Sequence, residues 1–113
     1  MSGEEQKLIA DVKDDIEAQM KKEMETYFEG KEYTPDEAQA WAEEVCSNII
    51  KNLKEEGLKG YKYSLTSTIF PKDACSVHTA GNCLWDPTTD ECIRVKHEAE
   101  TFYCILVLFA TKV

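Results

Sequence analysis

Apolar side chains fall into two periods along the chain. Over residues 4–29, Leu8, Val12, Ile16, Met20 and Met24 recur at four-residue spacing, with Ile9, Tyr27 and Phe28 beside them and polar residues elsewhere. That spacing gathers one apolar stripe on a helix from about 4 to 29, with Gly30 as its stop. A spacing of four drifts away from a heptad, so the stripe predicts packing on a sheet rather than a coiled coil. Thr34-Pro35-Asp36-Glu37 then reads as a second helix start. The threonine hydroxyl is placed to accept from an orphan backbone N–H, proline suits the first helical position, and the glutamate can reach back to the cap. A helix over 35–56 follows, with Ala38, Trp41, Ala42, Val45, Ile49 and Leu53 inward and Trp41 in the core.

After Gly60 the period changes to two. Tyr61, Tyr63, Leu65, Ser67 and Ile69 point one way, and Lys62, Ser64, Thr66, Thr68 and Phe70 the other. Pro71 removes a ladder donor, so it belongs at a strand end or on an edge. A second run ends in NCLW, and small polar residues with Gly81 make its register weakly specified and leave it open to pairing with another chain. CIRVKHE alternates cleanly, with Ile93 and Val95 on one face and Arg94, Lys96 and Glu98 on the other. The last run, TFYCILVLFATKV, is nearly continuous in apolar residues, as a strand covered on both faces would be. The predicted strands are about 61–70, 76–85, 92–98 and 101–112.

The order α-α-β-β-β-β predicts an α+β fold, with two N-terminal helices packed on one face of a four-stranded antiparallel sheet in a single domain, 1–113. The last strand needs cover on its second face, and no element of the chain remains to supply it. A second copy of the sheet is the economical answer, which predicts a homodimer.

Composition narrows the function. The chain has 113 residues and a formal net charge of −9, so it offers no basic stripe for nucleic acid or for an anionic membrane surface. Residues 1–59 hold 16 acidic and 8 basic side chains, against 6 and 5 in 60–113. The acidic half reads as a solvated helical face, or as a field that steers a basic partner. The start, MSGEEQK, lacks the apolar stretch of a secretory leader, and FYCILVLFA is too short to cross a membrane as a helix. The five cysteines, Cys46, Cys75, Cys83, Cys92 and Cys104, are an odd number with no Cys-x-x-Cys pair, so reduced thiols are expected. Cys75, Cys83, Cys92, His78 and His97 match no compact zinc module. Cys75 with His78 is the one pairing that resembles a nucleophile and base. Phosphate-loop, hydrolase-elbow and metalloprotease motifs are missing from the sequence. Asp86 and Asp90 flank Pro87 and read as turn residues that bond local backbone N–H groups. Neither a catalytic set nor a cofactor or metal site is predicted.

Several short stretches, taken in order, resemble the Tctex-type dynein light chain family. Tyr61-Lys62-Tyr63 opens the first strand, His78-Thr79-Ala80 lies in the second, and Leu84-Trp85-Asp86 with Asp90 is similar to that family's Trp-Asp…Asp signature. Phe102-Tyr103-Cys104-Ile105 matches the last strand, and Trp41 the second helix. The resemblance implies a strand-exchanged homodimer without enzymatic activity. Such a dimer would be a cytoplasmic, cytoskeletal subunit of a microtubule-associated dynein motor, cytoplasmic or axonemal. It would grip the dynein intermediate chain, and cargo or receptor tails, by β-strand addition. An alternative is a dimeric peptide-binding regulator that works without a motor.

The exchanged strand would be 76–85. Val77, Thr79, Gly81, Cys83 and Trp85 would serve the dimer, with Trp85 as a buried anchor. Ser76, His78, Ala80, Asn82 and Leu84 would line the peptide edge. Two departures stand out. The loop Lys72-Asp73-Ala74-Cys75-Ser76 lacks the glycines common in that family, and Pro71 replaces a donor-bearing residue.

Overall fold

The computed structural model describes residues 8–57, 59–73, 82 and 84–113. Helix α1 spans Ile9–Phe28 and α2 spans Pro35–Glu56. Strands β1 (Tyr61–Pro71), β2 (Glu91–Glu98) and β3 (Phe102–Lys112) follow. The described strands form an antiparallel sheet in the order β1-β3-β2, so β3 is central. Of the predicted strand 76–85, residues 76–81 and 83 lie outside the described residues, and Asn82, Leu84 and Trp85 belong to no strand. The described architecture is thus two helices and three antiparallel strands. Residues 4–7 of the first predicted helix are likewise outside the described set.

Local chemistry explains the boundaries. Helix α1 starts where the Leu8 N–H donates to Asp11 Oδ2 at 2.9 Å, half of a capping box. It stops at Gly30, whose φ of +75° is the left-handed conformation that a side chain resists. At α2 the expected cap does not form. The Thr34 hydroxyl accepts from no helical N–H; it donates to Glu37 Oε2 at 3.2 Å. The Thr34 carbonyl takes the N–H groups of Glu37 and Ala38, and the proline has no N–H to satisfy. Pro71 is the last residue of β1, at an edge of the described sheet, where its missing donor costs nothing.

Both helices lie on one face, α1 over β2 and α2 over β1. The core between the layers holds Ile16, Met20, Met24 and Phe28 from α1 and Trp41, Val45, Ile49 and Leu53 from α2. From the sheet come Ile93, Val95, Phe102, Cys104, Leu106, Leu108 and Ala110. The α1 stripe begins at Ile9, 1% exposed, while Leu8 and Val12 are only half-buried. One end of the core is aromatic. Phe28 meets Trp41, Phe102 and His97 at centroid distances of 6.4, 5.2 and 5.5 Å. Packing against Phe28 desolvates His97, and this lowers its pKa against a smaller opposing pull from Glu25.

Candidate functional site

Strand β3 alternates without a break. Phe102, Cys104, Leu106, Leu108 and Ala110 are fully buried beneath the helices. Tyr103, Ile105, Val107 and Phe109 point to the other face and are only half-buried. Their cross-strand neighbours on β1 are Phe70, Thr68, Thr66 and Ser64; on β2 they are Glu98, Lys96, Arg94 and Cys92. An apolar ridge therefore runs down the middle of the open face, with a hydroxyl column on one side and a mainly basic column on the other.

The ridge is met at both ends. At one end Phe70 packs on Tyr103, with ring centroids 5.4 Å apart. Lys96 and Lys72 sit over the same ring at 4.4 and 5.3 Å, a cation–π arrangement. Lys72 Nζ also pairs with Glu98 at 2.9 Å, which raises the lysine's pKa and lowers the glutamate's. At the other end Trp85 stands edge-on to Phe109, with centroids 6.0 Å apart. In the single chain Trp85 is half-buried and Leu84 fully exposed.

A dense set of polar bonds fixes the turn behind Trp85. The hydroxyl and N–H of Thr88 both donate to Asp86 Oδ1, at 2.6 and 2.9 Å. These two bonds hold the Asp86 carboxyl below the usual carboxylate range, the hydroxyl bond contributing more. The Asp86 N–H donates to Asp90 Oδ2 at 3.2 Å, and the Lys112 N–H to Asp90 Oδ1 at 2.8 Å. Asp90 thus clamps the turn to the end of β3, a longer reach than the local role expected of it. Tyr61 adds a second clamp. Its hydroxyl donates to the Thr89 carbonyl at 2.8 Å and accepts from the Ile9 N–H at 3.0 Å. It therefore joins the start of α1, the start of β1 and the turn. Sequence reasoning placed Tyr61 on the correct face but gave no hint of this link, whose partners lie far away along the chain.

Backbone groups form the other part of the site. Strand β1 pairs with β3 over its whole length, Tyr61 opposite Lys112 through Pro71 opposite Phe102. Among the described residues its other side faces no strand, so an extended segment has eleven residues on which to build a ladder. Strand β2 is the opposite edge, but it is shorter and carries Arg94, Lys96 and Glu98 outward. Charges of this kind discourage pairing.

The predicted exchange residues Ser76, Val77, His78, Thr79, Ala80, Gly81 and Cys83 lie outside the described residues, as does the Cys75–His78 pairing. Asn82 and Leu84 are exposed and Trp85 reaches the open face. Cys92 and His97 cannot share a metal in this chain, because the sheet separates them. Cys92 pairs with Phe109 on the open face, whereas His97 stacks on Phe28 beneath the helices. Burial pushes the Cys104 thiol up to about 12, which leaves it a poor nucleophile. No group of three His, Cys, Asp or Glu side chains among the described residues is arranged to hold a metal. No described helix is long and apolar enough to cross a membrane.

Comparison with known proteins places this chain in a family. The sequence profile described as "Tctex-1 family" matches residues 11–111. A Drosophila melanogaster protein named "Dynein light chain Tctex-type" is 35% identical over 112 residues, covering 99% of this chain and 97% of the relative. A Dictyostelium discoideum protein of the same name is 28% identical over 94 residues, covering 83% and 85%. The Homo sapiens "Dynein light chain Tctex-type 3" is 33% identical over 81 residues, covering 72% and 69%. The match takes in both helices, the three strands and the Trp85 turn, and on that extent the chain belongs to the Tctex-1 family.

Proposed function

We propose that this protein is a non-catalytic light chain of a dynein motor, a homodimeric adaptor that binds the dynein intermediate chain, and cargo, by β-strand addition. The names of the relatives support the motor. The observation that carries the adaptor reading is the edge of β1, which faces no strand among the described residues, beside an apolar ridge that those residues leave half-exposed. A segment laid along that edge gains main-chain hydrogen bonds from β1 and side-chain cover from the ridge. In the dimer, residues 76–85 of one copy leave the clamped Trp85 turn and pair with the other copy, and the two ridges cover each other. Val77, Thr79, Gly81, Cys83 and Trp85 serve this contact. The exchanged strand then offers its own free edge, with Ser76, His78, Ala80, Asn82 and Leu84, to the guest peptide. The site of action is the microtubule cytoskeleton.

Charge supports an outward-facing helical layer. The two helices carry twelve acidic and five basic side chains, a layer suited to solvent rather than to the sheet of a second copy. The test is calorimetric titration of the full chain with an extended intermediate-chain segment, beside sedimentation of the free protein. Binding at one peptide per chain, by a protein of twice the chain mass, is expected. A stable monomer would remove the exchange. A dimer that ignores the intermediate chain but binds receptor tails would favour a motor-independent regulator.

A further inference from the structure

The Trp85 turn holds a hydroxyl whose placement is not explained by dimerisation or peptide binding. Thr88 is exposed, and its hydroxyl points along the surface to Asp86 Oδ1. The sequence that follows is Thr89-Asp90-Glu91, which puts carboxylates two and three positions after Thr88. From Leu84 to Glu91 there is no lysine or arginine, and Thr88 is not followed by proline. A kinase with a basic substrate groove would read this stretch, whereas one with an acidic groove or a proline pocket would not.

We propose that Thr88 is a phosphoacceptor for an acidophilic serine/threonine kinase, and that its modification releases the Trp85 turn from the sheet. In the transfer, Thr88 Oγ1 bonds to the γ-phosphorus of a nucleoside triphosphate. The bond from that phosphorus to the departing nucleoside diphosphate breaks, and the hydroxyl proton passes to the kinase's carboxylate base. The oxygen that donated to Asp86 now carries a group of nearly two negative charges. It sits at hydrogen-bond distance from one carboxylate, with Asp90 and Glu91 close in sequence. The α1 cation that reaches this end of the sheet, Lys13, is already paired with Glu91 at 3.2 Å. Repulsion therefore opens the bond that closes the turn, and the Asp86 N–H leaves Asp90 with it. Trp85, held to Phe109 from this turn, loses its support.

Thr34 is an internal contrast. It also precedes a glutamate by three residues, but it lies at the N-terminus of α2. The helix dipole there favours a phosphate and offsets its repulsion from Glu37, to which the Thr34 hydroxyl donates. The release of Trp85 is a local event. Its effect on strand exchange rests on the function proposed above.

The test uses the full purified chain, an acidophilic kinase and ATP, with the phosphate mapped by mass spectrometry. Incorporation is expected at Thr88, lost in Thr88→Ala, kept in Thr88→Ser and in Thr89→Ala, and about tenfold slower in Glu91→Gln, as for the loss of one charge-assisted contact. Iodide quenching reports on Trp85, since Trp41 is in the core. The phosphorylated chain should show a clear rise in quenchable emission, and Asp86→Asn should show part of it without phosphate. Phosphate at Thr34 or elsewhere instead of Thr88 would overturn the site. Phosphate at Thr88 with unchanged quenching would overturn the switch. Sedimentation then separates the two ideas. A dimer that dissociates on modification supports both, whereas a protein that is monomeric before modification and shows the quenching change after it removes the exchange and leaves the Thr88 switch standing.

Discussion

The two faces of β3 are built from the same kind of residue and meet opposite fates. Phe102, Leu106 and Leu108 are sealed under α1 and α2, while Tyr103, Ile105, Val107 and Phe109 keep part of their surface open. Alternation alone does not make one side wet. The helices have apolar stripes wide enough for one sheet face, and the described residues hold no third helix for the other. An apolar ridge of this kind is the surface on which the proposed second copy would sit. The two sheet edges differ in the same sense. Strand β2 carries charges along its outer residues, whereas β1 sets Ser64, Thr66 and Thr68 between Lys62 and Pro71, leaving its middle ready to pair.

The contrast between the faces can be broken by truncation. Phe102→Ala, on the sealed side, should cost about 3–5 kcal/mol of folding stability by denaturant unfolding, as for any fully buried aromatic. Trp85→Ala, on the open side, should behave differently. Its single-chain contact with Phe109 is worth about 1 kcal/mol, while dimer affinity measured by sedimentation should fall by about 3–5 kcal/mol. Equal effects on folding from both substitutions would mean that the open face is already complete within one chain.

The next prediction concerns how the turn is held. Asp90→Ala removes the acceptor shared by the Asp86 and Lys112 N–H groups and should cost about 1.5–3 kcal/mol, as for hydrogen bonds to a charged group. Trp85 emission should shift to the red while the helical circular dichroism is unchanged. A stability loss without any shift would detach the clamp from Trp85.

The smallest effect belongs to the sealed side and to pH. Burial against Phe28 favours neutral His97, so the folded chain binds this proton less readily than the unfolded chain. The stabilisation is complete above the ordinary histidine range and is lost as pH falls through that range towards the depressed folded value. His97→Phe should therefore flatten the loss of denaturant midpoint between about pH 7.5 and about pH 5 relative to the parent. The carboxylates common to both proteins cancel in that comparison. An unchanged slope would mean that His97 is as hydrated as in the unfolded chain.

Periodicity carried much of this fold, and the reasons are specific. The four-residue spacing through Ile16, Met20 and Met24 and the period of two through Ile93 and Val95 each name a buried face, and those residues are buried. Burial follows direction, and direction follows from the repeat. The Thr34 signature gave the start of α2 but not its hydrogen bonds, because the hydroxyl had a nearer carboxylate. The Tyr61 and Asp90 clamps were not legible at all. A pattern assigns faces, whereas these groups find partners on elements brought together only by the completed sheet. The role proposed for 76–85 is pairing with another strand, which no local repeat encodes.

The central claim is that this segment completes the β1 edge of a second copy. Equal amounts of isotope-labelled and unlabelled chain, unfolded and refolded together, allow filtered NMR spectra to record contacts between copies alone. The account predicts intermolecular contacts from residues 76–85 to the neighbouring sheet, and between the Tyr103–Phe109 ridges. Spectra in which that segment contacts only its own chain, from a protein sedimenting as a monomer, would contradict it.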